Sequence, residues 1–234
     1  MKIGILGAMD QEVALLKASL DNMTTEQWAH LTFYSGSLHG VDVVVVKCGI
    51  GKVAAAVAST VLIDHYAPDF VVNTGSAGGF DKSLNIGDLV IGNTVQHHDV
   101  DITHFGYELG QVAGMPVTYD CDETLINAAE KAASKALHVV TKRGLICTGD
   151  AFIGSDDAAA KLREQFPLMS AVEMEGAAIA QTCFMLNTPF LVIRSLSDIA
   201  GKTSTVSFNA YLEEAAKNSA ELVINMIAVL ADNH

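Results

Sequence analysis

The chain has 234 residues, 50% of them hydrophobic and 18% charged, with only 4 prolines; this composition excludes a disordered chain and suits one compact domain with a sizeable core. Its 27 acidic residues outnumber 14 basic ones for a formal charge of −13, which excludes a nucleic-acid or anionic-membrane surface built on clustered Lys and Arg. Cys48, Cys121, Cys147 and Cys183 are far apart with no C-x-x-C pair, and the first residues show no secretory leader, so a cytoplasmic, reduced protein is expected.

Short apolar runs alternate with longer periodic segments, which predicts an α/β fold. Residues 2–7 read as a strand and 11–20 as a helix striped by Val13, Leu16 and Leu20. Strands at 32–38 and 41–48 join through His39-Gly40, a hairpin turn, and 52–66 is an alanine- and valine-rich helix stopped by Pro68. Strands at 70–73 and 89–95 flank a glycine-rich turn at 74–79, and 98–120 lacks any period and reads as a long functional loop. Helices follow at 122–136, 155–165 and 176–186, interleaved with strands at 143–148, 171–173 and 190–196. The last helix, 207–230, repeats Tyr211, Leu212, Ala215, Leu222, Met226, Ile227 and Leu230 along one face. The uncharged stretch 176–193 contains Gln181, Asn187 and Pro189, so it reads as a buried helix, a break and a buried strand rather than a membrane span. No linker or repeat interrupts the pattern, and a single domain over 1–234 is expected.

Several motifs have both a chemical and an ordinary reading. Gly49-Ile50-Gly51-Lys52-Val53-Ala54 fits a dinucleotide fingerprint, but Asn73 stands at the next strand end, where a ribose-binding acid belongs, so a tight turn is the better reading. Residues 74–79 suit either an anion-binding nest carrying the Ser76 hydroxyl or a sharp turn alone. His97, His98, Asp99, Asp101 and His104 have the chemistry of zinc or manganese ligands, yet no second cluster completes a set, and no metal is expected. Glu12, Glu175 and Asp198 each follow an apolar strand, where open α/β sheets bind ligands. An acid at a helix N-terminus is also ordinary dipole chemistry, but three such acids suggest a shared pocket.

Five separated motifs then carry a resemblance. Met9 and Glu12 after Gly4-Ile5-Leu6-Gly7-Ala8, Asn73-Thr74-Gly75-Ser76-Ala77-Gly78-Gly79, Gly149-Asp150-Ala151-Phe152-Ile153, Val172-Glu173-Met174-Glu175 and Arg194-Ser195-Leu196-Ser197-Asp198 together resemble the bacterial 5′-methylthioadenosine/S-adenosylhomocysteine nucleosidases. That family sits in the purine nucleoside phosphorylase superfamily. The resemblance runs from Lys2 to the last helix and implies a three-layer α/β/α sandwich with a central mixed β-sheet. It implies hydrolysis of the N-glycosidic bond of methylthioadenosine, adenosylhomocysteine and 5′-deoxyadenosine, releasing adenine in methionine salvage, with a small-molecule adenine nucleoside as substrate, no cofactor and no metal. Asp198 would protonate adenine N7 and Glu12 would activate water; an unperturbed Asp is ionised at neutral pH, so burial or a neighbouring acid must favour its neutral form. Glu175 would bind the ribose hydroxyls, with Glu173 beside it and Met174 packed on the sugar. Ser76 and Arg194 would help position water and carboxylates, and Ser197 would hold Asp198. Phe152 would stack on adenine, the Ile153 backbone would read its edge, and Met9, Ile50 and Phe208 would line the sugar and thioether end. Ile102, Phe105 and Tyr107 correspond to residues that a partner subunit contributes around the 5′-substituent, which implies a homodimer. Ala113, where relatives often carry proline, and His97-His98 depart from the family pattern in this loop.

A phosphate-dependent purine nucleoside phosphorylase is the nearest alternative, but no arginine precedes Arg143 and Glu12 would repel phosphate. A nucleoside-binding module without turnover has no use for three converging carboxylates.

Overall fold

The structure, a computed structural model, describes residues 1–136, 139–201 and 204–232. In chain order the elements are β1 (Lys2–Gly7), α1 (Asp10–Ala18), β2 (Asp21–Trp28), β3 (Leu31–Leu38), β4 (Val41–Lys47), α2 (Lys52–Tyr66), β5 (Phe70–Gly79) and β6 (Leu89–His97). A 3-10 turn at Thr103–Phe105 precedes β7 (Tyr119–Asp120), α3 (Glu123–Ala136), β8 (Thr141–Thr148), α4 (Asp156–Gln165), β9 (Met169–Glu173), α5 (Gly176–Met185), β10 (Phe190–Ile199) and α6 (Ser204–Ala231). Among these residues no helix is long and apolar enough to cross a membrane; the uncharged stretch is α5, a break and β10.

The strands form one mixed sheet in the order β10-β6-β8-β9-β5-β1-β4-β3-β2, with β7 on β6. Because β10 also pairs with β5, the first five strands of that order close on themselves while β1, β4, β3 and β2 extend outward. The central strands are apolar on both faces: Ile3, Ile5 and Leu6 of β1 and the four valines Val43, Val44, Val45 and Val46 of β4 are buried, the pattern of parallel strands covered by helices. Helices α1, α3 and α6 pack together on one side and α2 with α5 on the other, giving a three-layer α/β/α sandwich. In α2, Ala55, Ala58, Ser59 and Leu62 form the buried stripe, and Leu62 fills the space that a side chain on Gly4 would need. Emptying such a site by Leu62→Ala costs about 2–5 kcal/mol.

Four details differ from the sequence reading. Strand β2 was not expected: all eight residues are exposed at the sheet edge, so no apolar alternation marks it. Residues 74–79 are not a turn or nest but the continuation of β5, which runs ten residues to Gly79. Strand β10 likewise continues to Ile199, so Asp198 lies within the strand rather than after it. Tyr211, expected in the buried stripe of α6, is 41% exposed, while Ala215, Leu222, Met226, Ile227 and Leu230 are buried. The hairpin at His39-Gly40 has positive φ at both residues (51° and 79°), which is the twist-matched two-residue connection.

Candidate active site

The ends of β1, β5, β9 and β10 meet at one cavity of about 280 Å³. After β1 the chain turns through Ala8 and Met9 into α1, which puts Glu12 in the helix's first turn, reaching back to the helix start in half a capping box. Ala8 N–H (2.7 Å) and Met9 N–H (3.2 Å) donate to Glu12 Oε2, while Ser76 N–H (2.9 Å) and Ser76 Oγ (3.0 Å) donate to Oε1. Two elements 64 residues apart in sequence therefore fix one carboxylate. Gly75 makes this possible, since a Cβ there would stand 2.6 Å from Glu12 Oε1. Gly78 does the same for Asp198, whose Oδ2 would lie 3.2 Å from an added Cβ. Gly75 and Gly78 of β5 are thus room for acids, not a turn.

Asp198 is 2% exposed, and Ser197 Oγ donates to its Oδ1 at 3.0 Å. Strand β9 delivers Glu173 and then, through Met174, Glu175 at the start of α5. The two glutamates differ in surroundings. Glu173 accepts from Arg194, from Thr148 Oγ1, and from the Glu175 (3.1 Å) and Gly176 (2.7 Å) amides. Arg194 is completely buried, bonded also to Asn73 Oδ1 and to the Ile193 carbonyl (3.0 Å). Burial opposes its charge, but Glu173, Glu175 and Glu12 together hold the guanidinium protonated. Glu175 lies 4.0 Å from Arg194 and accepts from Gly51 N–H at 2.9 Å. Burial and the charge of Glu173 push its carboxyl up to about 8, against the pull of Arg194 and the Gly51 amide.

Of the residues singled out from sequence, Met9, Glu12, Ile50, Ser76, Phe152 and Phe208 line this cavity, with Glu173, Met174, Glu175, Ser197 and Asp198. Phe152 and Phe208 meet edge to face at 5.8 Å. Ile153 lines a small adjoining chamber shared with Phe152, Met174 and Asp198. Arg194 stands behind the wall and touches the cavity only through the carboxylates it holds. Ile102, Phe105 and Tyr107 are not brought to it: they lie in and beside the 3-10 turn, and Phe105 is 76% exposed. Ala8, Ala77, Gly78 and Val172 also line the cavity, and Thr148 and Asn73 support it from behind. The sequence reading gave these residues no role at the site, although all but Thr148 stand in the motifs it singled out. The crowded histidines do not converge: His97 Nε2 pairs with Gln181 at 3.0 Å and Asp99 with Lys52. Among the described residues no three His, Cys, Asp or Glu side chains form a metal-ligand group.

The arrangement sets four carboxylates around an apolar cleft, and among the described residues no lysine, arginine or histidine lines it. Of these acids, Asp198 and Glu173 line both the cleft and the chamber of Ile153, and Glu173 is held by Arg194 and the Gly176 amide. Such a site can donate and accept protons about a neutral ligand, and it repels an anion.

Comparison with known proteins places this geometry. The sequence profile described as Phosphorylase superfamily matches residues 2–228. A 5′-methylthioadenosine/S-adenosylhomocysteine nucleosidase of Psychromonas ingrahamii is 55% identical over 227 residues, 97% of this chain and 98% of that protein. The crystal structure of such a nucleosidase from Colwellia psychrerythraea, in complex with adenine, is 53% identical, with a TM-score of 0.96 over 98% of this chain and 96% of that one. The Neisseria meningitidis nucleosidase in complex with methylthio-immucillin-A is 44% identical, with a TM-score of 0.95 over 97% and 98% of the two chains.

Proposed function

The chain belongs to the phosphorylase superfamily and, within it, to the 5′-methylthioadenosine/S-adenosylhomocysteine nucleosidases, and from that premise we propose how its own residues cleave the N-glycosidic bond of methylthioadenosine and adenosylhomocysteine. The observation that carries the reading is the position of Asp198, buried between the cleft that holds Glu12 and the chamber that holds Phe152 and Ile153.

Adenine enters the chamber side, stacked on Phe152 and read by the Ile153 backbone. Asp198, held by Ser197, gives its proton to adenine N7, so that the base leaves neutral rather than as an anion. Charge then develops on the ribose. Glu175 accepts hydrogen bonds from the sugar hydroxyls, and these strengthen as the sugar becomes cationic. Glu173 keeps Glu175 in place through its amide and through Arg194. On the other side Glu12 takes a proton from water. Its two oxygens already receive four donors, and the Ser76 hydroxyl is the only one that can rotate aside to admit that water. Met9, Ile50, Met174 and Phe208 supply the apolar contacts for the sugar and its 5′-thioether.

Hydrolysis is favoured over phosphorolysis because the lining is acidic and, among the described residues, carries no cation to neutralise a phosphate dianion. A homodimer completes the 5′-end. Supporting this, Ile50 just before α2 and Val53 and Val57 on its first turns expose an apolar stripe, and Phe105 is exposed as well. The chain acts as one catalytic domain without cofactor or metal. Its four cysteines, all buried and free, suit a cytoplasmic setting. The test is adenine release from methylthioadenosine with and without phosphate. The reading expects equal release in both; release that requires phosphate and yields a sugar phosphate would replace it with the phosphorylase reading.

A further inference from the structure

The proposed mechanism leaves the polar cluster around Asp99 without a task, although its bonds end at the site. Lys52 Nζ donates to Asp99 Oδ1 at 2.6 Å, and Asp150 N–H donates to Asp99 Oδ2 at 2.9 Å. Asp150 closes the ring, because its Oδ1 accepts from Lys52 N–H at 2.8 Å. One residue earlier, Gly51 N–H donates to Glu175 Oε1. A Cβ on Gly51 would lie 3.0 Å from Asp150 Oδ1, and its φ of +95° suits glycine. Behind the ring, the His98 ring occupies the space that a side chain on Gly149 would take, and His98 N–H donates to Thr148 O at 2.8 Å.

We propose that Asp99 is a positioning residue: with Lys52 and Asp150 it clamps the loop bearing Phe152 and Ile153 to the first turn of α2, and so fixes base recognition and the ribose carboxylate Glu175 as one unit. The inference rests on the site reading above and extends it to residues that touch neither reacting atom. Three backbone amides, those of Gly51, Lys52 and Asp150, each end on a side-chain carboxylate. A charged acceptor such as Asp99 makes such a bond stronger than a neutral one. The ion pair is mostly shielded, with side-chain exposures of 21% and 28%, so screening by salt weakens it less than a surface pair. Burial would raise the pKa of Asp99, yet Lys52 and the Asp150 amide outweigh it and hold the carboxyl below its ordinary range. The anion that the clamp needs is therefore the form the fold favours. The helix start that resembles a dinucleotide fingerprint is thus occupied by the protein's own acids.

Asp99→Ala breaks the clamp at its centre, and Lys52→Met breaks it from the other end. Amide hydrogen exchange on the ligand-free protein is the first readout. Both variants should exchange faster at 150–153 and at Gly51 and Lys52 together, while amides of β1 and β10 keep wild-type rates. With methylthioadenosine as probe, each should lose about tenfold in kcat/KM, within the range that misplacement away from the chemistry produces. In a Glu175→Gln background the same Asp99→Ala change should cost clearly less than tenfold, because only base recognition is left for the clamp to position. Lys52→Arg, which keeps a cation on Asp99, should stay within about threefold of wild type. Wild-type exchange at either segment, or an undiminished tenfold loss in the Glu175→Gln background, overturns the clamp. Failure of the wild-type protein itself to release adenine overturns the nucleosidase reading instead, and the exchange result stands apart from it.

Discussion

The floor of the cavity and the loop beyond it are built by opposite rules. On the floor, the ends of β1, β5, β9 and β10 and the helix starts behind them set Glu12, Glu173, Glu175 and Asp198, all buried, with partners drawn from distant parts of the chain. In the 101–118 segment the bonds made by its own side chains are local, Asp101 to Thr103 and Gln111 to Glu108 and Met115, and Phe105 projects outward. Groups that move protons must hold position while charge appears beside them, and a sheet edge locked by buried hydrogen bonds does that. Groups that select the 5′-substituent need only shape and apolar area, and a segment packed by a partner can supply both.

The largest effects should come from the floor. Asp198→Asn should lower kcat by roughly 10²–10⁴-fold, since an amide has no acidic proton to give. Adenine affinity, read by titration calorimetry, should change far less. Glu12→Gln should fall in the same range with substrate binding retained, measured by rapid quench and equilibrium binding. Near-normal turnover in either variant would remove the floor's claim to the chemistry.

Stability should respond next. Arg194→Met leaves Glu173 and Glu175 buried without their cation and should cost about 3–5 kcal/mol in a denaturant titration. Glu175 then gives a pH signature. Its folded pKa lies above the ordinary 4.5, at about 8, so the folded protein keeps a proton that the unfolded chain releases. The ligand-free protein should therefore be most stable below about pH 4.5 on this group's account and lose stability as pH rises towards about 8. The Glu175→Gln variant should lack that slope, which thermal melts across the range would detect.

The smallest effect belongs to the loop. Phe105→Ala should change melting by under about 1 kcal/mol, as for an exposed side chain, leave adenine affinity unaltered, and reduce kcat/KM for methylthioadenosine only a few-fold, roughly the worth of one apolar contact. A Phe105→Ala loss as large as that of Asp198→Asn would erase the contrast between the two regions.

What could be read in the sequence followed the same division. Strands covered on both faces, such as 41–47, announce themselves by unbroken valine. Strand β2 does not, because every residue in it faces solvent and nothing apolar repeats. The run from Thr74 to Gly79 looks like a turn because glycine is ordinarily a turn residue. Gly75 and Gly78 are instead set by the Glu12 and Asp198 carboxylates packed against the strand, a tertiary demand that no local pattern reveals. The acids themselves were legible as residues at strand exits, and their convergence depends on parallel pairings, β1 with β5 and β5 with β10, that link segments far apart in the chain. Arg194 was expected from the resemblance to position carboxylates, but its burial against Glu173 emerges only once β9 and β10 both pair with β5.

The central claim is that a proton reaches the purine while water, primed by Glu12, arrives from the opposite face of the sugar. Proton NMR of the first sugar formed in a single turnover tests it directly, because attack opposite the departing β-linked base fixes the product's stereochemistry. The account predicts the α-anomer of the free thioribose in phosphate-free buffer. An initial β-anomer, or no free sugar without phosphate, would contradict it.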